Sequence, residues 1–212
     1  MIINTQIQVE DFKDYEENQS QLIGLKFECQ DLVYDVNYSE FLDCPLDGLE
    51  IIFLNTLKRY SFGTKEIETK EGDVRSIPKD FDSIEEIESF LHQNGYFYAP
   101  VYAYIHGGIA LSLSNSYQFS DRFDSGFAGF LCVRKDKLRE IHSVKRLSKK
   151  ILDKEFELWK ALIEETNYWL NGDIYNVQVE TKEGEFVDCF TSYGLYDLSK
   201  NMEKFMERNK AA

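Results

Sequence analysis

The stretch from Tyr96 to Val133 most constrains how this chain can fold. It contains three short apolar segments with the alternation typical of β-strands, and glycine-bearing turns separate them. The first two segments are joined across His106-Gly107-Gly108, which suits a tight hairpin because glycine accepts positive φ without steric cost. The third segment follows Asp124-Ser125-Gly126. We therefore expect the loop that carries Asp124 to face His106 across one strand.

The rest of the chain alternates segments typical of strands with segments typical of helices. Helices are predicted over residues 48–60, 83–94, 134–141, 148–170 and 198–205. Further strands are predicted over residues 22–29 and 32–38, and a hairpin over residues 173–190 turns at Lys182-Glu183-Gly184. Residues 64–80 could form another hairpin, around Gly72, or an exposed loop.

Short, hairpin-like connections between these segments predict an α+β fold. We expect a mainly antiparallel sheet of about five strands, formed by residues 96–133 and 173–190 and flanked by helices. Residues 96–212 would form this α+β core domain, and residues 1–95 an acidic N-terminal region that could be a subdomain. The 43% content of hydrophobic residues is sufficient for a substantial core.

The charge of the chain is concentrated in its first half. The net charge is −14 overall, and residues 1–95 hold 21 acidic and 8 basic residues, whereas residues 96–212 hold 17 and 16. A negative field of this kind can keep a protein in solution, repel nucleic acid or compete for a positively charged groove.

Composition also bears on location. There is no apolar run of about 18 residues, so no membrane span is predicted, and the first residues lack the basic and apolar parts of a secretory signal. A cytoplasmic protein without a membrane partner is therefore expected. Its four cysteines lack CxxC spacing and are predicted to be buried thiols, as is usual for free cysteine in the cytosol.

His106 is the strongest candidate for chemistry, because an imidazole at a turn can reach solvent and titrates near neutral pH. A nearby acid could orient the ring, and a hydroxyl could act as nucleophile. The candidate catalytic set is His106, Asp124 and Ser125, with Asp121 as an alternative acid and Ser112 and Ser114 as alternative hydroxyls. The structural alternative is that His106 bonds to the backbone of its turn, while Asp124-Ser125-Gly126 forms an Asx-type turn.

Other candidate sites have less support in the sequence. No HExxH, CxxC or calcium-loop spacing occurs, and no glycine-rich phosphate-binding loop, so neither a metal nor a cofactor is expected. Asp173 follows Gly172 at a strand start and could be a site residue or a turn-forming acid. His92 and His142 are predicted to be solvated on the polar faces of helices.

A basic segment follows the central strands. Its cations are Arg134, Lys135, Lys137, Arg139, Lys145, Arg146, Lys149 and Lys150. They could contact the phosphates of a nucleic acid, or they could be the solvated face of a helix. Aromatic residues nearby in the sequence would favour RNA or single strands if their rings were free to stack on bases. These are Tyr102, Tyr104, Tyr117 and Phe119.

Two motifs and their spacing resemble a family of small proteins from bacteriophages and conjugative elements of Gram-positive bacteria. They are PVYAYIHGGIALS at residues 100–112 and DSGFAGF at 124–130, and LNGDIY at 170–175 and DCFTSYG at 188–194 extend the similarity over about the last 120 residues. The chain departs from the family pattern at Phe123, where a tryptophan is expected, and at Gly107, where a serine is expected.

This resemblance implies a counter-defence role, since proteins of this size and setting resemble type II anti-CRISPRs, including ones that impair the guide RNA. The leading hypothesis is an anti-defence protein that inhibits the Cas9–guide RNA complex, whose nucleic-acid channel is positively charged. One alternative is a metal-independent ribonuclease or other hydrolase that uses His106. Another is an acidic DNA mimic that blocks restriction. The choice between catalyst and stoichiometric inhibitor stays open, as does the oligomeric state.

Overall fold

A computed structural model describes residues 2–3, 24–29, 31–39, 42–113 and 124–210. In this part of the chain the helices are α1 (Ile84–Gln93), α2 (Lys135–Ile141), α3 (Lys149–Asn171) and α4 (Gly194–Lys210). The strands are β1 (Ile2–Ile3), β2 (Leu25–Cys29), β3 (Leu32–Tyr38), β4 (Ile52–Asn55), β5 (Glu66–Glu68), β6 (Val74–Ser76), β7 (Tyr96–Ile105), β8 (Ile109–Ser112), β9 (Ser125–Arg134), β10 (Ile174–Thr181) and β11 (Phe186–Tyr193). The predicted α+β class is confirmed, and all strand pairs except β1–β2 are antiparallel.

The chain divides into two compact units. One contains Met1–Leu42 and Tyr168–Ala212, and the other contains Asp43–Asn167. The predicted domain boundary after residue 95 stays a prediction, although β4 and β7 belong to the same sheet of the second unit. No helix among the described residues is both long and apolar enough to cross a membrane.

The first unit is built on a sheet with the strand order β1-β2-β3-β10-β11. Its hairpin β10–β11 forms at the predicted turn, where Gly184 has φ 85°. Alternate residues of β3 and β10 are buried, and they pack with apolar residues of α4 into one hydrophobic core. This core contains Tyr34, Val36, Tyr175, Val177, Val179, Leu195, Leu198 and Met202.

The second unit contains the sheet β4-β9-β7-β8 and the separate hairpin β5–β6. The residues predicted as one sheet of about five strands therefore lie in two sheets. Strands from the first half of the chain extend each group separately, since β4 pairs with β9 and β3 pairs with β10. These pairings join residues far apart in the sequence, which local patterns do not mark.

The helix predicted over residues 48–60 is wrong, because β4 occupies its centre. Phe53, Leu54 and Asn55 are all buried in succession, which no single helix face allows. β4 pairs with β9 from Ile52↔Cys132 to Asn55↔Gly129, and the burial of both faces explains its continuous apolar sequence. Leu49, which the helical spacing placed on the apolar face, is exposed.

Other local predictions are confirmed. Ser83 caps α1, since its Oγ accepts a hydrogen bond from Glu86 N at 3.2 Å. Of the two alternatives left open for residues 64–80, the structure has the hairpin, β5–β6, which turns at Gly72 with φ 93°. Among the cysteines with described side chains, Cys44 and Cys132 are buried thiols as predicted, but Cys189 is exposed. It lies on β11, where consecutive side chains from Phe186 onward are exposed.

Candidate functional site

His106 and Asp124 meet at one end of the sheet in the second unit. The Nδ1 atom of His106 lies 2.8 Å from Oδ2 of Asp124, within hydrogen-bond distance. The two residues are 18 positions apart in the chain and come from neighbouring turns, as the sequence pattern predicts. An acid on Nδ1 fixes the orientation of the ring and leaves Nε2 to act on another molecule.

Backbone hydrogen bonds hold both residues in place. The N–H of Ile105 donates to the carbonyl of Asp124 at 2.8 Å, which continues the β7–β9 ladder to its last pair, Tyr104↔Ser125. On the other side, His106 N donates to the carbonyl of Gly108 at 3.1 Å, and Gly107 takes φ 72°. This positive φ favours glycine at position 107.

The imidazole is open to solvent. Its side chain is 70% exposed, whereas that of Asp124 is 33% exposed. The ring of Tyr104 stacks beside it at a centroid distance of 6.1 Å. No hydrogen bond to Nε2 is made from within the described ranges, so this nitrogen can accept a proton from a bound molecule or donate one to it.

The candidate hydroxyls occupy different places in the strands around this pair. Ser125 is the residue next to Asp124 and pairs in the ladder with Tyr104, while Ser112 is buried at the far end of β8 from the turn. Two further candidates, Ser114 and Asp121, lie outside the described residues. The pair has the geometry of an imidazole oriented by an acid, and the catalytic roles of His106, Asp124 and Ser125 stay predictions.

The aromatic residues weighed as base-stacking partners differ in their surroundings. Tyr102 packs edge-on against Phe127 at 6.1 Å, and Tyr104 stacks on His106. Tyr117 and Phe119 lie outside the described residues. The first two rings therefore take part in intramolecular contacts beside the His106 turn.

Two members of the predicted basic segment are neutralised by nearby acids. Arg134 forms a forked contact with Asp136, with Nε–Oδ1 at 3.0 Å and Nη2–Oδ2 at 2.6 Å, and this carboxylate raises the pKa of the guanidinium. Lys137 lies 3.4 Å from Glu140 and 3.6 Å from Glu50. These two cations are therefore less available to an outside anion.

The other six cations of the segment have no carboxylate within ion-pair distance in the described part of the chain. Lys145, Arg146, Lys149 and Lys150 are exposed around the start of α3. Lys149 and Lys150 occupy the first turn of this 23-residue helix, which contains no acid there. Cations at a helix N-terminus oppose the helix dipole, so this placement does not serve the stability of α3.

Lys135 and Arg139, the remaining two, line a pocket of about 400 Å³ together with Lys70. The forked pair Arg134–Asp136 forms one wall, and Asn94 and Gly95 form another. Lys70 was not predicted as a site residue, because it lies 65 positions before Lys135 in a segment of mixed charge. Only the fold brings the two lysines to one pocket.

A second, larger pocket of about 580 Å³ also has Arg134 and Asp136 in its wall. Its other charged lining residues are mostly acids, namely Glu50, Glu66 and Glu68, with Lys137. The Arg134–Asp136 pair thus separates a cationic pocket from a mainly acidic one. Among the described residues, no group of three His, Cys, Asp or Glu side chains is arranged to hold a metal ion.

The prediction that His142 is solvated is wrong. Its side chain is 19% exposed, and Nε2 lies 3.0 Å from Oε2 of the buried Glu155. The other carboxylate oxygen of Glu155 accepts a hydrogen bond from Trp159 Nε1 at 3.0 Å. His142 ends α2 and Glu155 lies in α3, so the contact joins two helices that the sequence pattern treats separately.

Asp173 belongs to the first unit, and its contacts favour a turn-forming role over a role in a site. Its N–H donates to the carbonyl of Tyr168, and its own carbonyl accepts from Gly194 N at 2.8 Å. Burial raises the pKa of its carboxyl group. These backbone contacts link α3, β10 and α4 within that unit.

Comparison with protein-family models, curated proteins and solved structures finds no match to this chain. The resemblance to proteins of mobile elements therefore stays a prediction.

Proposed function

We propose that this protein is an anti-defence inhibitor that acts in the cytoplasm of a bacterial host by binding the Cas9–guide RNA complex. The observation that carries the proposal is the set of cations at positions 135, 139, 145, 146, 149 and 150, which have no ion pair within the described ranges, in a chain of net charge −14. A local positive surface on an acidic protein is the form expected of an RNA contact. The family resemblance supplies the defence setting.

The acidic residues support the second part of the proposal, which is a contact with Cas9 itself. Within the second unit, residues 43–95 contain 12 acids and 6 bases, and most of these acids are exposed. Such a surface is complementary to the positively charged channel of Cas9. Cations would then contact the guide RNA while acids contact Cas9, with binding that weakens as salt increases.

A Cas9 cleavage assay tests this function. Guide-loaded Cas9 is mixed with a large molar excess of the protein before target DNA is added, and cleavage is followed over a range of salt. We expect inhibition that salt relieves. The fourfold variant Lys145→Ala, Arg146→Ala, Lys149→Ala, Lys150→Ala should inhibit at least tenfold less well, while Lys79→Ala, an exposed lysine without an ion pair in the described structure, serves as control. Undiminished cleavage would refute the function.

A second candidate function is a metal-independent ribonuclease or other hydrolase. The His106–Asp124 contact of 2.8 Å, with the imidazole largely exposed, specifically favours it. In this mechanism Nε2 of His106 removes a proton from an attacking hydroxyl, and Asp124 orients the ring and stabilises its protonated form. For RNA the attacking group would be the 2′-hydroxyl of the substrate, so the protein need supply no nucleophile. Its oxygen bonds to the adjacent phosphorus as the P–O5′ bond breaks, which leaves a 2′,3′-cyclic phosphate. The departing 5′-oxygen takes a proton from water, and the protonated His106 returns its proton to solvent.

The hydrolase is tested by incubating labelled guide RNA with the protein in the presence of a chelator. Wild-type protein should shorten the RNA, His106→Ala should abolish cleavage, and Asp124→Asn should reduce it by about 10²- to 10⁴-fold. Full-length RNA beside the wild-type protein would exclude the nuclease and leave the inhibitor proposal unaffected.

A further inference from the structure

The pocket formed by Lys70, Lys135 and Arg139 combines three features of a built anion site. Each of the three cations lines the same space of about 400 Å³, and none of them makes an ion pair with a described side chain. The one acid in the lining, Asp136, is already occupied by Arg134. Three like charges around one pocket repel one another unless an anion lies between them.

Gly95 lies next to the backbone of Lys135 and to the side chain of Lys70. The N–H of Lys135 donates to the carbonyl of Gly95 at 3.0 Å, which fixes the start of α2. The stem of Lys70 runs past the same residue, since a Cβ atom added to Gly95 would lie 3.4 Å from Lys70 Cε. Gly95 has φ 73°, which favours glycine, and the 3.4 Å separation is an ordinary van der Waals contact that places the Lys70 stem beside this residue.

Asn94 fixes the backbone of Lys70 from the other side. Its side-chain oxygen accepts a hydrogen bond from Lys70 N at 3.1 Å, while its side-chain nitrogen donates to the carbonyl of Phe90 at 2.9 Å. The oxygen and the nitrogen of the Asn94 side chain therefore both make hydrogen bonds, and together they connect the loop that contains Lys70 to the end of α1. The loop between β5 and β6 is thereby held against the start of α2.

Arg139 completes the pocket four residues after Lys135, one helical turn along α2. Its planar guanidinium can bond two oxygens of a phosphate at once, whereas the lysines act as compact point charges. This combination suits a tetrahedral anion with several equivalent oxygens. It suits a carboxylate less well, since a carboxylate offers two oxygens in one plane.

We propose that Lys70, Lys135 and Arg139 form a binding site for a phosphate group, and that in the function proposed above this group belongs to RNA. The RNA part rests on that proposed function, whereas phosphate binding itself does not. Lys70 thereby becomes part of the RNA contact, although it lies in the acidic part of the sequence.

The first experiment titrates the full chain with inorganic phosphate at constant ionic strength and follows the backbone amides by NMR. We expect the signals of Gly95, Lys135 and Arg139 to shift with one common dissociation constant, and sodium chloride to produce no such shift. Phosphate should also raise the thermal unfolding midpoint of the wild-type protein.

Variants then locate the site. Lys70→Ala, Lys135→Ala and Arg139→Ala should each weaken phosphate binding by about tenfold, as expected for the loss of one charge-assisted hydrogen bond. Lys79→Ala, which removes the same charge from an exposed position, should change it by less than about twofold. Because removal of a like charge relieves repulsion, the three pocket variants should remain folded, and their amide spectra check this directly.

The second experiment measures the binding of two single-stranded RNAs of one sequence, one with a 5′-phosphate and one with a 5′-hydroxyl. Tighter binding of the first would assign the pocket to a terminal phosphate, and equal binding would assign it to the RNA backbone. In either case each pocket variant should reduce the slope of log affinity against log salt by about one.

The outcomes separate the two proposals. If phosphate shifts no signals in the wild-type protein, or if the shifts persist unchanged in all three variants, the phosphate-site proposal is refuted. This holds even if the protein inhibits Cas9. Phosphate binding that the variants lose, beside undiminished Cas9 cleavage, would retain the pocket and refute the inhibitor function.

Discussion

The Nδ1 atom of His106 lies 2.8 Å from Oδ2 of Asp124, yet 70% of the histidine side chain is exposed to solvent. Exposed pairs of this kind contribute about 0–1 kcal/mol to stability, because water competes for both groups. The backbone bond from Ile105 N to the Asp124 carbonyl and the Gly107 turn fix the same geometry independently. The side-chain contact is therefore not needed to hold the hairpin.

This relationship predicts that Asp124→Asn leaves the fold almost unchanged. The free energy of unfolding, measured by urea denaturation, should fall by less than about 1 kcal/mol. Ribonuclease activity, if the protein has it, should fall far more, since the asparagine cannot stabilise a protonated imidazole. A loss of stability above about 2 kcal/mol would instead assign the pair a structural role.

Gly129 is predicted to be indispensable to the sheet of the second unit. It has φ 150°, and a Cβ atom at this position would clash with the backbone carbonyl oxygen of Leu54 on β4. Gly129→Ala should therefore lower the free energy of unfolding by at least about 3 kcal/mol or prevent folding. Gly126→Ala on the same strand is the matched control, because a Cβ there meets nothing within 4 Å. Its stability should stay within about 1 kcal/mol of wild type, and equal effects of the two substitutions would contradict this account.

The sequence predicted best those features that depend on a few neighbouring residues. The Ser83 cap of α1 and the turns at Gly107 and Gly184 are set by local backbone preferences, and all three are found. The approach of His106 to Asp124 was predicted from the order of strands and glycine-bearing turns along the chain, and the pairing of β9 with β7 places Asp124 beside Ile105.

Features that depend on distant partners were not predictable. The run around Ile52–Asn55 fits either helical spacing or a strand buried on both faces, and only its pairing with β9 decides between them. Lys70 joins the cationic pocket through the β5–β6 loop, and no local pattern marks it. His142 looked solvated because its partner Glu155 lies in another helix.

Glu155 is predicted to be a stabilising residue. It is 5% exposed, and its two carboxylate oxygens contact Trp159 Nε1 and His142 Nε2. Glu155→Ala should lower the free energy of unfolding by about 2–3 kcal/mol, because it leaves the buried indole N–H without an acceptor. Glu157→Ala, which removes an exposed acid two positions away that pairs with Lys160, should change it by less than about 1 kcal/mol. The comparison is made by urea denaturation at neutral pH, and similar losses for both variants would disprove the role of the buried contact.

Tyr96 is predicted to make stability fall at alkaline pH. Burial raises the pKa of its hydroxyl to about 12 from the ordinary value of 10.0, and the hydroxyl donates a hydrogen bond to the carbonyl of Glu68 at 2.9 Å. Because the unfolded chain loses this proton first, the contribution of Tyr96 to stability is fully present below pH 10 and is lost as the pH rises from about 10 towards 12.

Tyr96→Phe should therefore lower the free energy of unfolding by about 1 kcal/mol at pH 8 through the lost hydrogen bond. This difference from wild type should narrow above pH 10. Urea unfolding midpoints of both proteins, measured at pH 8 and pH 11, provide the check. The other titrating groups are common to the two proteins. A difference in midpoint between them that is the same at pH 8 and pH 11 would therefore show that folding does not raise the pKa of Tyr96.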